Sequence, residues 1–142
     1  MVLSKAEKVL REIEGVAGGR QFLPIVGPSR GQILVKVIRE IIPKRILEVG
    51  ALVGYSAILM GKELGSDDHL ITIEIDADSA KTAEENIRKA EIPPTVEVLV
   101  GEQVVGRGLR RASYEVGPDG KLTEEVSQVF GVPFEIVPFK AS

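Results

Sequence analysis

Two acidic residues and two glycines stand where a ligand site could be built. Glu48, Gly50 and Gly54 belong to the run Ile46-Leu47-Glu48-Val49-Gly50-Ala51-Leu52-Val53-Gly54-Tyr55-Ser56. Glu74 closes a second apolar run, Leu70-Ile71-Thr72-Ile73-Glu74. Glycines at a strand exit let the backbone turn sharply and let a ligand lie against it. The spacing is E-x-G-x-x-x-G, with Leu52 where a dinucleotide fingerprint needs its second glycine. A carboxylate beside the turn repels a pyrophosphate and suits a ligand that carries an ammonium group. A carboxylate at the end of the next strand can accept bonds from both hydroxyls of a ribose. The same residues also satisfy a bare glycine turn and a solvated strand-end acid.

The elements that position these residues read as alternating helix and strand. Ser4 to Glu14 is predicted as a helix: Ser4 and Glu7 make a capping-box pattern, and Val9, Leu10 and Ile13 an apolar stripe. Gly15, Gly18 and Gly19 are expected to end it, and Gly27-Pro28 to mark a turn. Ser29 is the expected cap of a second helix, stopped by Pro43. Ile46 to Val49, apolar at Ile46, Leu47 and Val49, has the near-continuous apolarity of a strand buried on both faces of a parallel sheet. A helix follows Gly54 to about Leu64, with Gly65 as its stop. Leu70 to Ile75 is a second strand, Asp78 to Ala90 a helix, and Val96, Val98 and Val100 alternate in a third strand. The only histidine, His69, precedes the second strand, at the end of the sheet away from the glycine turn.

The totals narrow the setting. The chain has 142 residues, within the range of one domain, with 44% hydrophobic and 27% charged residues. A net charge of −3 and few aromatics give no footing for nucleic acid, so none is expected as a partner. No apolar run approaches the roughly 20 residues that span a bilayer, so no membrane is expected either. There is no cysteine, hence no disulfide framework or thiolate nucleophile, and a cytoplasmic protein is the simplest expectation.

The stretch ILEVGALVGYSAILM resembles the first motif of class I S-adenosylmethionine-dependent methyltransferases, most of all their catechol O-methyltransferase-like branch. The segment VGPSRGQILVKVI resembles the one that precedes the first strand in that branch, where it packs beside the cofactor and contributes to the substrate side. The resemblance runs from about Gln21 to Gln103. It implies an α/β, Rossmann-like, mainly parallel sheet over whose first three strands S-adenosylmethionine is bound. The implied cofactor-binding set is Glu48, Gly50, Ala51, Gly54, Tyr55, Ser56, Glu74, Ile75 and Glu102. Glu74 would hold the ribose, and Glu102 the adenine amino group in place of the family's usual aspartate. Methyl transfer to a small-molecule acceptor is the implied activity. No catalytic residue is assigned.

The resemblance stops after Gln103. The family's metal-binding aspartate and its later Asp-Asn pair have no counterpart, so no metal site is expected. Too little chain remains for the rest of the family's sheet, so a smaller sheet, or one completed by another chain, is expected, within one domain whose segment 104–142 is divergent. In that segment Gly106–Arg111 reads as a basic link and Ser113–Val116 and Phe134–Phe139 as strand-like. Leu122, Val126, Val129 and Phe130 fall at helical spacing, with Gly131 as a stop. This apolar content points to a homodimer through the C-terminal half. Two rival functions remain open: a cofactor-binding protein without transferase activity, and a nicotinamide-dependent oxidoreductase.

Overall fold

A computed structural model describes residues 2–19 and 23–101, and the backbone of 128–131. Four strands form one parallel sheet in the order β3-β2-β1-β4, with β1 at Arg45–Val49, β2 at His69–Glu74, β3 at Thr95–Val100 and β4 at Gln128–Gly131. Four helices complete the described fold: α1 Lys5–Ala17, α2 Gly27–Ile41, α3 Tyr55–Gly61 and α4 Ala77–Ala90.

Local chemistry explains the helix boundaries. Ser4 and Glu7 close the expected capping box: Ser4 Oγ accepts the Glu7 N–H at 3.2 Å, and Glu7 Oε2 accepts the Ser4 N–H at 2.8 Å. Such a cap contributes about 1 kcal/mol. α1 runs past Gly15, because the Gly18 N–H closes the last turn on Glu14. Its buried stripe, Ala6, Val9, Leu10 and Ile13, packs on α3 and α4.

Two expected boundaries move. α2 starts at Gly27 with Pro28 in its first turn, so Ser29 lies inside the helix and caps nothing. Proline needs no N–H partner there and its φ is already helical. Ile42 then takes a left-handed conformation and Pro43 prevents continuation. α3 ends at Gly61 rather than Leu64, and its last carbonyls are taken by tight turns from Lys62, Glu63 and Leu64. α4 is capped by Asp76, whose Oδ2 accepts the Ser79 N–H at 2.8 Å.

The core lies between the sheet and the helices. Ile46 and Leu70 from the strands meet Ile58, Met60, Ile87 and the α1 stripe in one buried cluster. The small residues Ala80, Ala83 and Ala90 let α4 lie close to α3 and the sheet.

The helix expected around 122–130 is corrected at its end. Gln128–Gly131 is a strand that pairs in parallel with β1, Ile46 with Gln128 through Val49 with Gly131. A short apolar run carries no periodicity that separates a buried strand from a helix. Glu102, the Gly106–Arg111 link and the runs Ser113–Val116 and Phe134–Phe139 lie outside the described residues.

Candidate functional site

The glycine turn leaves the carboxyl end of β1. It needs three positive φ angles: 96° at Gly50, 49° at Leu52 and 84° at Gly54. Neighbouring elements hold it from several sides. The Gly50 and Ala51 N–H groups donate to the Ile73 carbonyl of β2 at 2.7 and 3.2 Å. Asn86 of α4 donates to the Val53 carbonyl at 2.8 Å.

Gly54 proves to be a packing residue. A Cβ there would stand 3.1 Å from the Ala83 carbonyl oxygen and 3.3 Å from Ile87 Cγ1. Its bare Cα therefore admits α4.

Glu48 points toward α3. Its register partner on β2 is Thr72, whose Oγ1 donates to Glu48 Oε1 at 2.6 Å, while Ser56 Oγ donates to Oε2. The residue is 3% exposed. Among the described residues no cation pairs with it. Burial pushes its carboxyl up to about 7, against the two hydroxyl donors and with help from the Glu74 charge.

Glu74 is 6% exposed and held at both oxygens by backbone. Oε2 accepts the Leu52 N–H at 2.7 Å and Oε1 the Asp76 N–H at 3.0 Å. Each carboxylate oxygen keeps capacity for a further bond. Ile75 follows, 61% exposed. The Gly101 N–H donates to the Glu74 carbonyl at 3.0 Å, which brings the exit of β3 beside it.

Tyr55 is buried, and its hydroxyl donates to Glu14 of α1 at 2.6 Å. Burial and this carboxylate raise the phenol well above its ordinary range. Its hydroxyl thus ties α1 to α3, while the residue also lines a cavity of about 540 Å³. Glu48, Gly50, Ala51, Leu52 and Ser56 line the same cavity. Ile25 and Val26 from the approach to α2, and Ile33, Leu34 and Val37 from α2, give it an apolar wall, with Arg30 the one cation among its described residues. A mainly apolar cleft with a few fixed polar groups suits a small-molecule ligand. A larger groove, about 750 Å³, shares Tyr55 but none of the turn residues before it.

The structure thus brings Glu48, Gly50, Ala51, Tyr55 and Ser56 to one cavity and Glu74 to the adjoining turn. His69 is exposed at the amino end of β2, paired with Arg45 and Thr95, at the opposite end of the sheet. Sequence reasoning missed Thr72 and Asn86. A threonine inside the apolar run Leu70–Ile73 is the one signal that marked the first. Among the described residues no group of three or more His, Asp or Glu side chains could hold a metal ion.

The O-methyltransferase family model matches residues 4–107. The chain belongs to this O-methyltransferase family. It is 35% identical over 95 residues to catechol O-methyltransferase of Mus musculus, covering 67% of this chain and 36% of that protein. Among solved structures it is similar to the O-methyltransferase TomG of Streptomyces achromogenes, in complex with SAM, at 26% identity and a TM-score of 0.61, over 80% of this chain and 50% of that one. It is likewise similar to the O-methyltransferase of Bacillus cereus, in complex with SAH, at 26% identity and a TM-score of 0.60, over 82% and 52%. The chain spans about a third of the curated relative and half of each solved one. The Rossmann-like parallel sheet expected from the sequence is shared with these structures. No described helix is long and apolar enough to cross a membrane.

Proposed function

We propose that this domain binds S-adenosylmethionine at the carboxyl ends of β1 and β2 and takes part in methyl transfer to an oxygen of a small-molecule acceptor. The observation that carries the reading is Glu48: a buried carboxylate on an apolar cavity with two hydroxyl donors and, among the described residues, no cationic partner. A buried ionised carboxylate without a countercharge is costly. A ligand ammonium supplies that charge, so the residues fit the cofactor's amino-acid end. The SAM and SAH held by the TomG and Bacillus cereus relatives support the same choice.

In this reading Ser56 and Glu48 receive the amino-acid end, Gly50 and Ala51 let it approach the backbone, and the Tyr55 ring closes one side. Glu74, already aimed by two N–H groups, accepts from the ribose hydroxyls. Ile75 and Glu102 belong to the nucleoside end. The bound cofactor supplies an electrophilic methyl group. The chain's part is alignment and exclusion of water by Ile25, Val26, Ile33, Leu34 and Val37, since an in-line displacement gains most from positioning. The whole chain is read as one domain, with 104–142 its divergent segment, and as a homodimer.

Calorimetry with SAH and with NAD tests the cofactor. Micromolar binding of SAH with no binding of NAD is the expected result, and the reverse overturns the proposal. Methyl transfer from labelled cofactor across a panel of phenols and catechols tests the activity. Tight SAH binding with no transfer to any acceptor leaves a binding protein.

A further inference from the structure

Glu48 and Ser56 together do more than offer a contact. Both line the cavity, and the Ser56 hydroxyl is bonded to Glu48. A serine hydroxyl has one proton and two lone pairs. With Glu48 ionised, that proton is committed to the carboxylate and the lone pairs of Ser56 can face the cavity as acceptors. With Glu48 protonated, its own O–H must donate to Ser56 or Thr72, and the acceptor capacity of the pair falls.

The surroundings decide how strongly the carboxylate prefers one state. From β2 it faces Thr72 and, further along, the acidic Glu74. α3 contributes Ser56 and Tyr55, whose hydroxyl is taken by Glu14 of α1. β4, reading Gln-Val-Phe-Gly, carries no titratable residue. Arg30 of α2 lines the same cavity but is exposed and makes no ion pair with Glu48. Arg45 and His69 stand at the other end of the strands. The described residues thus offer this buried group one repelling charge and no attracting one in contact.

We infer that an ammonium-bearing ligand binds here by displacing a proton from Glu48, with the Ser56 oxygen as the intermediate contact. This rests on the cofactor reading above and adds a linkage to it. One O–H bond of the Glu48 carboxyl breaks and its proton goes to the buffer. The Ser56 hydroxyl then donates to the carboxylate and accepts from the ammonium. Ser56 contacts the ligand, and Glu48 positions it by fixing which way the hydroxyl points.

The test is titration of the whole chain with SAH between pH 5.5 and 7.0, where an α-amino group of ordinary pKa stays protonated. Each titration is run in two buffers of different ionisation heat. Affinity is expected to rise with pH, approaching tenfold per unit at the acid end, with close to one proton released at pH 6. Glu48→Gln should bind more weakly, with no pH slope and no release. 5′-Methylthioadenosine, which keeps the nucleoside and the thioether but lacks the ammonium, should bind without release. SAH binding with a flat pH profile and no buffer dependence overturns the inference and leaves the cofactor reading standing. Equal release with methylthioadenosine also overturns it. Absence of SAH binding at every pH removes the cofactor reading and this inference with it. If Glu48→Gln does not fold, the two-buffer measurement on the unaltered chain decides.

Discussion

Glu74 Oε2 accepts the backbone N–H of Leu52 at 2.7 Å, so the end of β2 holds the turn that leaves β1. Leu52 sits at a positive φ of 49°, a conformation a leucine adopts only when its surroundings impose it. The acid at 74 thus has a structural duty to the turn before any ligand arrives.

Glu74→Ala should therefore act twice. It strands the Leu52 and Asp76 N–H groups, at a cost of about 1–3 kcal/mol. It should also lower SAH affinity by more than tenfold, because the turn loosens and the ribose contact goes. Urea denaturation and calorimetry check the two effects. A variant of unchanged SAH affinity would show that Glu74 serves the turn alone.

Gly54→Val is a folding variant. The new side chain meets the α4 backbone at 3.1 Å and must hold a φ of 84°. Overpacking and left-handed strain together should cost about 2–4 kcal/mol. The expected sign is a lowered melting temperature before any change in ligand contacts. A Gly54→Val protein as stable as the parent would refute the packing assignment.

Glu48 sets a stability slope of its own. Its folded carboxyl lies at about 7, above the ordinary value of 4.5, so the folded state holds a proton that the unfolded state has lost. Ligand-free stability contributed by this group is full below about 4.5 and falls as pH rises to about 7. Replacing it with glutamine should flatten the curve between pH 5 and 8 and gain stability at the upper end. Urea midpoints of both proteins at pH 5 and 8 measure this, and parallel curves would contradict it.

Magnesium should not be needed for cofactor binding by this chain. The described residues offer no group of three or more His, Asp or Glu side chains to a divalent ion, and such ions need several oxygen ligands. SAH affinity in EDTA and in millimolar Mg²⁺ should agree within twofold. A tenfold gain with Mg²⁺ would point to ligands outside the described residues.

A homodimer is expected at micromolar concentration. Tyr114, Val116, Leu122, Val126, Phe134, Ile136, Val137 and Phe139 give the C-terminal segment more apolar surface than water tolerates cheaply. Sedimentation velocity decides. A cooperatively folded monomer of the 15.3 kDa chain mass ends the proposal.

The site was legible where local pattern and chemistry coincide. Ile46 to Val49 reads as a strand because near-continuous apolarity after Pro43 has few other uses, and the turn glycines follow from its exit. The pairing of Glu48 with Thr72 was hidden, because it depends on the register of two strands separated by a helix. The duty of Gly54 was hidden for a similar reason: its neighbour Ala83 lies on another helix. Ser29 misled because a capping residue type can stand inside a helix when a proline has already opened it. Val129 and Phe130 misled because two apolar residues beside each other suit either period.

The pairing of β1 with β4 has a consequence for biosynthesis. Ile46 to Val49 leaves the ribosome well before Gln128 to Gly131, and one flank of that strand waits for them. Helices α1 to α4, β2 and β3 can assemble while the chain is still being made, and the sheet closes around β1 only once Gln128 to Gly131 have been added. Contacts so far apart in sequence are the slow step of folding. A stop codon shortly before residue 128 would release a chain whose β1 lacks that neighbour, and such a chain is a natural client for chaperones.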